Sequence, residues 1–109
     1  MSKRDMDEGQ EGGVATATRT DKKLKRPPLY KVLFHNDDYT TRDFVVFVLQ
    51  TVFHHDEQAA TRIMWQVHTS GVGVAGVYTF EIAETKARKV ETLARTNEFP
   101  LKVSLEPDE

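Results

Sequence analysis

The chain has 109 residues, a net charge of -2 and no cysteine, which excludes disulfides, a thiolate nucleophile and cysteine-based zinc sites. Apolar residues make up 39% of the chain, enough for one domain with one modest core. The charge favours neither nucleic acid nor an anionic membrane as a partner, and no apolar run approaches a membrane span, so we expect a cytoplasmic protein.

Residues 1–28 contain few large apolar side chains. They also contain three glycines and end with the pair Pro27-Pro28. Such a segment cannot bury enough surface to offset the entropy lost on ordering, so it is predicted to be a flexible N-terminal extension. Its basic stretch at residues 22–26 suits a solvated hinge, and it also suits an arm that contacts a partner. Residues 29–109 are predicted to form the folded domain.

The folded domain opens with a strand. Residues 29–35 are rich in aromatic and β-branched side chains, and Asn36-Asp37-Asp38 then ends the strand with residues typical of turns. Thr40 is the predicted N-cap of a first helix, with Asp43 as its capping-box partner. Apolar residues at helical spacing extend this helix to about Phe53.

A second helix is predicted from Asp56, a good N-cap residue, to Gly71, a plausible C-terminal stop. Residues 74–82 follow, and their alternating pattern predicts a strand that reaches Ile82.

A third helix is expected from about Glu84 to Thr96, with Asn97 closing it, and residues 101–105 alternate as a last strand. Three strands with one buried face need cover, and three amphipathic helices supply it. The predicted fold is therefore α/β (α+β), a two-layer sandwich of a small, mainly antiparallel, three-stranded sheet and three helices in the order β-α-α-β-α-β.

Asn36-Asp37-Asp38 is also the densest polar cluster of the domain. An ordinary turn explains it, because Asn and Asp bond their own backbone, but a binding role stays open. His68 follows Met64 by one helical turn and is expected at the edge of the apolar face.

The residues alone leave three further classes of function open, besides ligand binding at the Asn36-Asp37-Asp38 cluster. A protein-interaction module would bind through a sheet edge. A small metal-dependent hydrolase would use Asp37, Asp38, His35 and His68, although no His-x-x-x-His pair or spaced run of acids supports a metal site. A nucleic-acid binder would use the basic stretch of the extension, against the slightly negative net charge.

Several segments together resemble the ClpS family of protease adaptors over about residues 29–106. The stretches Asn36-Asp37-Asp38-Tyr39-Thr40 and Ala83-Glu84-Thr85-Lys86, in this order and at this separation, are the most specific. The remaining matches are Val32-Leu33-Phe34-His35, Phe44-Val45, Val48-Leu49, Val67-His68, Gly76-Val77-Tyr78-Thr79, Glu81-Ile82 and Glu98-Phe99-Pro100-Leu101.

The resemblance implies an adaptor, not an enzyme, that needs no cofactor or metal and recognises proteins whose first residue is Leu, Phe, Tyr or Trp. By position, the substrate's α-amino group and first peptide unit would be held by Asn36, Asp38 and His68. The pocket mouth would include Asp37, Thr40 and Arg42, and its apolar wall would comprise Val45, Met64, Val67 and Leu101.

The resemblance also implies delivery of these substrates to a Clp AAA+ unfoldase of the ClpA type, which feeds the ClpP peptidase. Glu81 and Lys86 match positions that contact the N-terminal domain of the unfoldase, and the N-terminal extension matches a segment that acts during hand-over.

Arg42 departs from the family, because many members carry at this position a methionine that guards the pocket. Arginine is longer, charged and able to pair with a carboxylate. We therefore expect altered selectivity, either a preference for an acidic second residue or a narrower set of first residues.

Overall fold

A computed structural model describes residues 26–109, so the predicted flexible extension lies almost wholly outside the described residues. The order of strands and helices is the predicted one, and the predicted fold is confirmed. The elements are β1 (Leu29–His35), α1 (Arg42–Thr51), α2 (Glu57–Ser70), β2 (Val72–Thr79), α3 (Phe80–Thr96) and β3 (Lys102–Pro107).

The three strands form one antiparallel sheet in the order β2-β1-β3, so β1 is central. The register of β1 against β2 shifts between Val32 and Leu33. Val32 pairs with Gly76, but Leu33 pairs with Val74, so Ala75 is skipped. Ala75 is thus the extra residue of a bulge. Its carbonyl accepts a 2.6 Å hydrogen bond from His55 Nε2, which gives this backbone group a partner.

The core lies between one face of the sheet and the helices. Alternate residues of β1, Val32 and Phe34, are fully buried and meet Val48 and Leu49 from α1 and Val90 from α3. Burial of each such side chain contributes about 1.5–3 kcal/mol to the hydrophobic free energy of folding. No helix within residues 26–109 is long and apolar enough to cross a membrane.

The start of α1 differs from the prediction, because Thr41, not Thr40, is the N-cap. The Thr41 hydroxyl oxygen accepts from the Phe44 backbone N–H at 3.1 Å, while the Thr40 hydroxyl donates to Asp37. The helix also ends earlier than predicted, at Thr51, and Val52 caps it.

The boundary between β2 and α3 also differs, because the predicted strand to Ile82 was wrong beyond Thr79. The last residue pair of β1 and β2 is Leu29 with Thr79, and Pro28 precedes Leu29. Beyond this pair β1 offers no partner, so the backbone from Phe80 onward makes its hydrogen bonds within a helix. Ile82 consequently lies on the first turn of α3 and is exposed.

Candidate functional site

A cleft of about 340 Å³ opens where the turn between β1 and α1 meets the start of α1 and the C-terminal half of α2. It brings together every residue predicted to bind the amine or to form the pocket mouth, and the predicted apolar wall except Leu101. The lining residues are Asn36, Asp37, Asp38, Tyr39, Thr40, Thr41, Arg42, Val45, Met64, Val67 and His68.

Asp37 organises the turn. Its carboxylate accepts hydrogen bonds from the Tyr39 backbone N–H at 2.8 Å, and from the Thr40 backbone N–H and hydroxyl at 2.7 Å each. Partial burial raises the pKa of Asp37, but these hydrogen bonds stabilise the charged form and lower the pKa below its ordinary value of 3.8. The carboxylate of Asp37 is therefore engaged in holding the loop.

Asn36 and Asp38 flank Asp37, and the same turn leaves their side chains exposed. The Asn36 backbone N–H donates to the Gly71 carbonyl at 2.9 Å, which ties the turn to the end of α2. Within residues 26–109 neither the Asn36 amide nor the Asp38 carboxylate has a side-chain hydrogen bond or ion pair. Both thus present acceptor oxygens to a ligand in the cleft.

His68 lies near the C-terminal end of α2, with an exposed side chain. Its Nε2 lies 3.5 Å from Nη2 of Arg42, the first residue of α1. Since a guanidinium has only donors, His68 is the acceptor of this long hydrogen bond. The Trp65 ring completes the group, with its centroid 5.6 Å from that of His68 and 5.0 Å from Arg42 Cζ.

The apolar wall comes from both helices. Val45 of α1 and Met64 and Val67 of α2 line the cleft and belong to the buried core, which fixes them in place. Leu101, predicted as a fourth wall residue, also belongs to the core, with 6% of its surface exposed, but it is not among the residues that line the cleft.

Gly73 keeps α2 close to the sheet behind this wall. A Cβ atom at Gly73 would lie 2.6 Å from Val67 Cγ2 and 3.3 Å from the Val67 backbone nitrogen. The neighbouring Gly71 has a φ of 89° and caps α2 in the left-handed conformation, as its predicted role as a stop requires.

Sequence reasoning missed Tyr39 and Thr41 as lining residues, and Trp65 as a neighbour of His68. The signal for Trp65 was its position three residues before His68 on one helix, where side chains share a face. Trp65 also contacts Arg42, which lies on another helix, and helical periodicity does not predict a contact between two helices.

The two residues predicted to bind the unfoldase lie on α3 and do not line the cleft. Glu81 is exposed in the first turn of α3. Lys86 is half-buried, donates a 2.7 Å hydrogen bond from Nζ to the Val52 carbonyl, and lies over the rings of Phe53 and Tyr78. Its ammonium therefore also joins α3 to the end of α1.

The described part of the chain contains no group of three or more His, Asp or Glu side chains arranged to hold a metal ion. His35, one of the residues considered for a metal-dependent hydrolase, has its Nε2 2.7 Å from the Ser104 hydroxyl on β3.

Comparison with known proteins matches nearly the whole described domain. The family described as "ATP-dependent Clp protease adaptor protein ClpS" matches residues 25–104. An ATP-dependent Clp protease adapter protein ClpS of Myxococcus xanthus is 58% identical over 96 residues, which cover 88% of this chain and 90% of that protein. Another, from Desulfatibacillum aliphaticivorans, is 57% identical over 91 residues, covering 84% and 88%.

A solved structure is also similar. It is described as "The structure of Agrobacterium tumefaciens ClpS2 bound to L-phenylalaninamide" and has a TM-score of 0.73 and 44% sequence identity. The match covers 76% of this chain and 100% of that chain.

Proposed function

Because the chain belongs to the ClpS family of ATP-dependent Clp protease adaptor proteins, we propose that its cleft binds the free N-terminus of proteins that begin with Leu, Phe, Tyr or Trp. The prediction of an adaptor in place of an enzyme is confirmed by this membership. The observation that carries the proposal is the meeting, in one cleft, of unpaired acceptors with a buried apolar wall.

The α-amino group would be read by Asn36, Asp38 and His68. An ammonium carries a positive charge and three N–H donors, which suit the Asp38 carboxylate, the Asn36 amide oxygen and an imidazole nitrogen. Nε2 of His68 would accept from the ammonium in place of its long 3.5 Å contact with Arg42. An internal residue offers one neutral N–H and would leave these acceptors unpaired, which costs free energy and gives selectivity for a free N-terminus. The exposed, unpartnered carboxylate of Asp38 supports its role as the charge partner.

The first side chain would contact Val45, Met64 and Val67. Burial of a large apolar side chain against them contributes about 1.5–3 kcal/mol. Met64 adapts its shape, which helps one pocket accept both Leu and aromatic residues. The similar Agrobacterium structure supports this, since its ligand, L-phenylalaninamide, has a free amine and a large apolar side chain. The wall role of Leu101 stays a prediction.

Delivery to the Clp protease would use a different surface. We propose that Glu81 and Lys86 contact the N-terminal domain of a ClpA-type unfoldase in the cytoplasm, and that residues 1–28 act during hand-over. Neither residue lines the cleft, so a bound substrate would not cover them. Phe80 and Ile82, which flank Glu81 and are half exposed, offer apolar area for such an interface.

Binding of peptides that differ only in the first residue, each with a free and an acetylated amine, tests the proposal. We expect Leu-, Phe-, Tyr- and Trp-first peptides with a free amine to bind, and their acetylated forms to bind at least about tenfold more weakly, since a charge-assisted hydrogen bond is lost. Equal binding of free and acetylated peptides would favour a module that binds through its sheet edge.

A further inference from the structure

Arg42, Trp65 and His68 form one part of the cleft rim. Arg42 lies over the Trp65 ring and within 3.5 Å of His68 Nε2, and the Trp65 and His68 rings meet edge to face. Cation–π attraction and the hydrogen bond together restrain a side chain that is otherwise exposed. The guanidinium is therefore held at the cleft and does not extend freely into water.

Helix stability does not account for an arginine at this position. Arg42 is the first residue of α1, where the helix dipole opposes a positive charge. No carboxylate within residues 26–109 forms an ion pair with it. Its contact with His68 occupies one N–H direction, so other donors of the guanidinium remain for a ligand.

The cleft thus carries two unlike charges that face the same space, the Asp38 carboxylate and the Arg42 guanidinium. An α-ammonium bound at Asp38 would share this space with Arg42, and the two cations would repel each other. A carboxylate on the same ligand removes the repulsion and matches the fork of N–H donors that arginine presents.

We propose that Arg42 binds a carboxylate of the ligand and that Trp65 is the positioning residue that holds the guanidinium for it. The inference rests on the proposed binding of a free α-amino group in this cleft. The ligand class is then an ammonium, a large apolar side chain and a nearby carboxylate. Two sources share this chemistry: a protein N-terminus with Asp or Glu as second residue, and a free amino acid such as phenylalanine.

The test uses the full chain and measures dissociation constants by fluorescence anisotropy. One arm compares free-amine peptides that begin Phe-Asp and Phe-Asn. The other compares L-phenylalanine with L-phenylalaninamide as competitors of the Phe-Asn peptide. The variants are Arg42→Gln, Trp65→Leu and, as a matched loss of one exposed charge on α2 outside the cleft lining, Arg62→Gln.

We expect the carboxylate-to-amide affinity ratio to fall about twofold to fivefold in Arg42→Gln relative to wild type, the range for an exposed charge pair. Trp65→Leu should lower the ratio by less, and Arg62→Gln should leave it unchanged. A fall in the peptide arm identifies the second residue as the source, and a fall in the competitor arm identifies the free amino acid.

Equal ratios in wild type and Arg42→Gln in both arms would overturn the inference while leaving the proposed function intact, provided that the Phe-Asn peptide still binds. Failure of wild type to bind the Phe-Asn peptide would overturn the proposed function and the inference with it.

Discussion

The Asn36 backbone N–H donates a 2.9 Å hydrogen bond to the carbonyl of Gly71, and this contact joins the turn after β1 to the cap of α2. The acceptors of Asn36 and Asp38 thereby face the same cleft as His68, although His68 is far along the chain. The glycine is suited to this place because its φ of 89° lets the chain leave α2 and enter β2 directly.

Asp38→Ala should abolish measurable binding of Phe-first peptides and leave the free energy of unfolding nearly unchanged. The exposed carboxylate has no partner within residues 26–109, so its removal changes the free energy of unfolding little. A bound ammonium, in contrast, loses its counter-charge. Anisotropy and urea unfolding measure the two effects. Asp43→Ala, a nearby acid on α1 outside the cleft lining, is the control, and retained affinity in Asp38→Ala would count against the amine site.

Gly73→Ala should lower the free energy of unfolding by about 1–3 kcal/mol and weaken peptide binding. The added methyl group would press on Val67, whose side chain and backbone lie too close to accept it, so α2 must move away from β2. Val67 is part of the apolar wall, and the cleft would change shape with it. Urea unfolding and peptide titration check this, with Val72→Ala at the exposed neighbouring position as control. Unchanged stability would show that the gap is wider than the structure indicates.

Asp37 should contribute stability that depends on pH in a defined direction. Its folded-state pKa lies below the ordinary 3.8, so the stabilisation is fully present above 3.8 and is lost as the pH falls through the lower folded-state value. The difference in unfolding free energy between wild type and Asp37→Asn should therefore be constant at pH values above 3.8 and should shrink as the pH falls below 3.8. Urea titrations at a series of pH values measure it, and a constant difference throughout would contradict the role of the three hydrogen bonds.

Lys86→Met should destabilise the domain by about 1–2 kcal/mol, because the Val52 carbonyl loses a charge-assisted hydrogen bond. The methionine keeps an apolar side chain of similar length, so packing is largely kept, while the cation–π contacts of the ammonium with Phe53 and Tyr78 are lost. Lys89→Met, at an exposed position of the same helix, is the matched control and should have almost no effect on stability. Thermal unfolding of both variants tests this.

Binding of an isolated unfoldase N-terminal domain, measured at a temperature where both variants are folded, then separates the proposed contact of Lys86 from its structural role. A loss of partner binding in Lys86→Met but not in Lys89→Met would support the contact. Equal partner binding by the two variants would leave Lys86 with a structural role only.

Local chemistry in the sequence predicted much of this protein. Asp56 and Gly71 cap α2 as their residue types suggest, since an aspartate satisfies the first N–H groups and a glycine adopts the left-handed conformation without strain. The Asn-Asp-Asp-Tyr-Thr and Ala-Glu-Thr-Lys stretches also identified the family, which the comparisons confirm. These features depend on neighbours close in the chain, and the sequence therefore displays them directly.

The tertiary structure decided what depends on distant partners. The sequence predicted Thr40 as the N-cap of α1, but the Thr40 hydroxyl donates to Asp37 and Thr41 caps the helix. The alternation through Ile82 predicted a strand, because the sequence does not show where the pairing of β2 with β1 ends. The approach of Arg42 to His68 joins residues 26 positions apart, and that of Lys86 to Val52 joins residues 34 apart. The sequence by itself determined which polar residues this adaptor carries. Only the packing of α1 and α3 against their neighbours decided which charged side chains face the cleft and which stabilise the fold. The physical reason is that side-chain contacts between helices depend on how the helices are placed relative to each other.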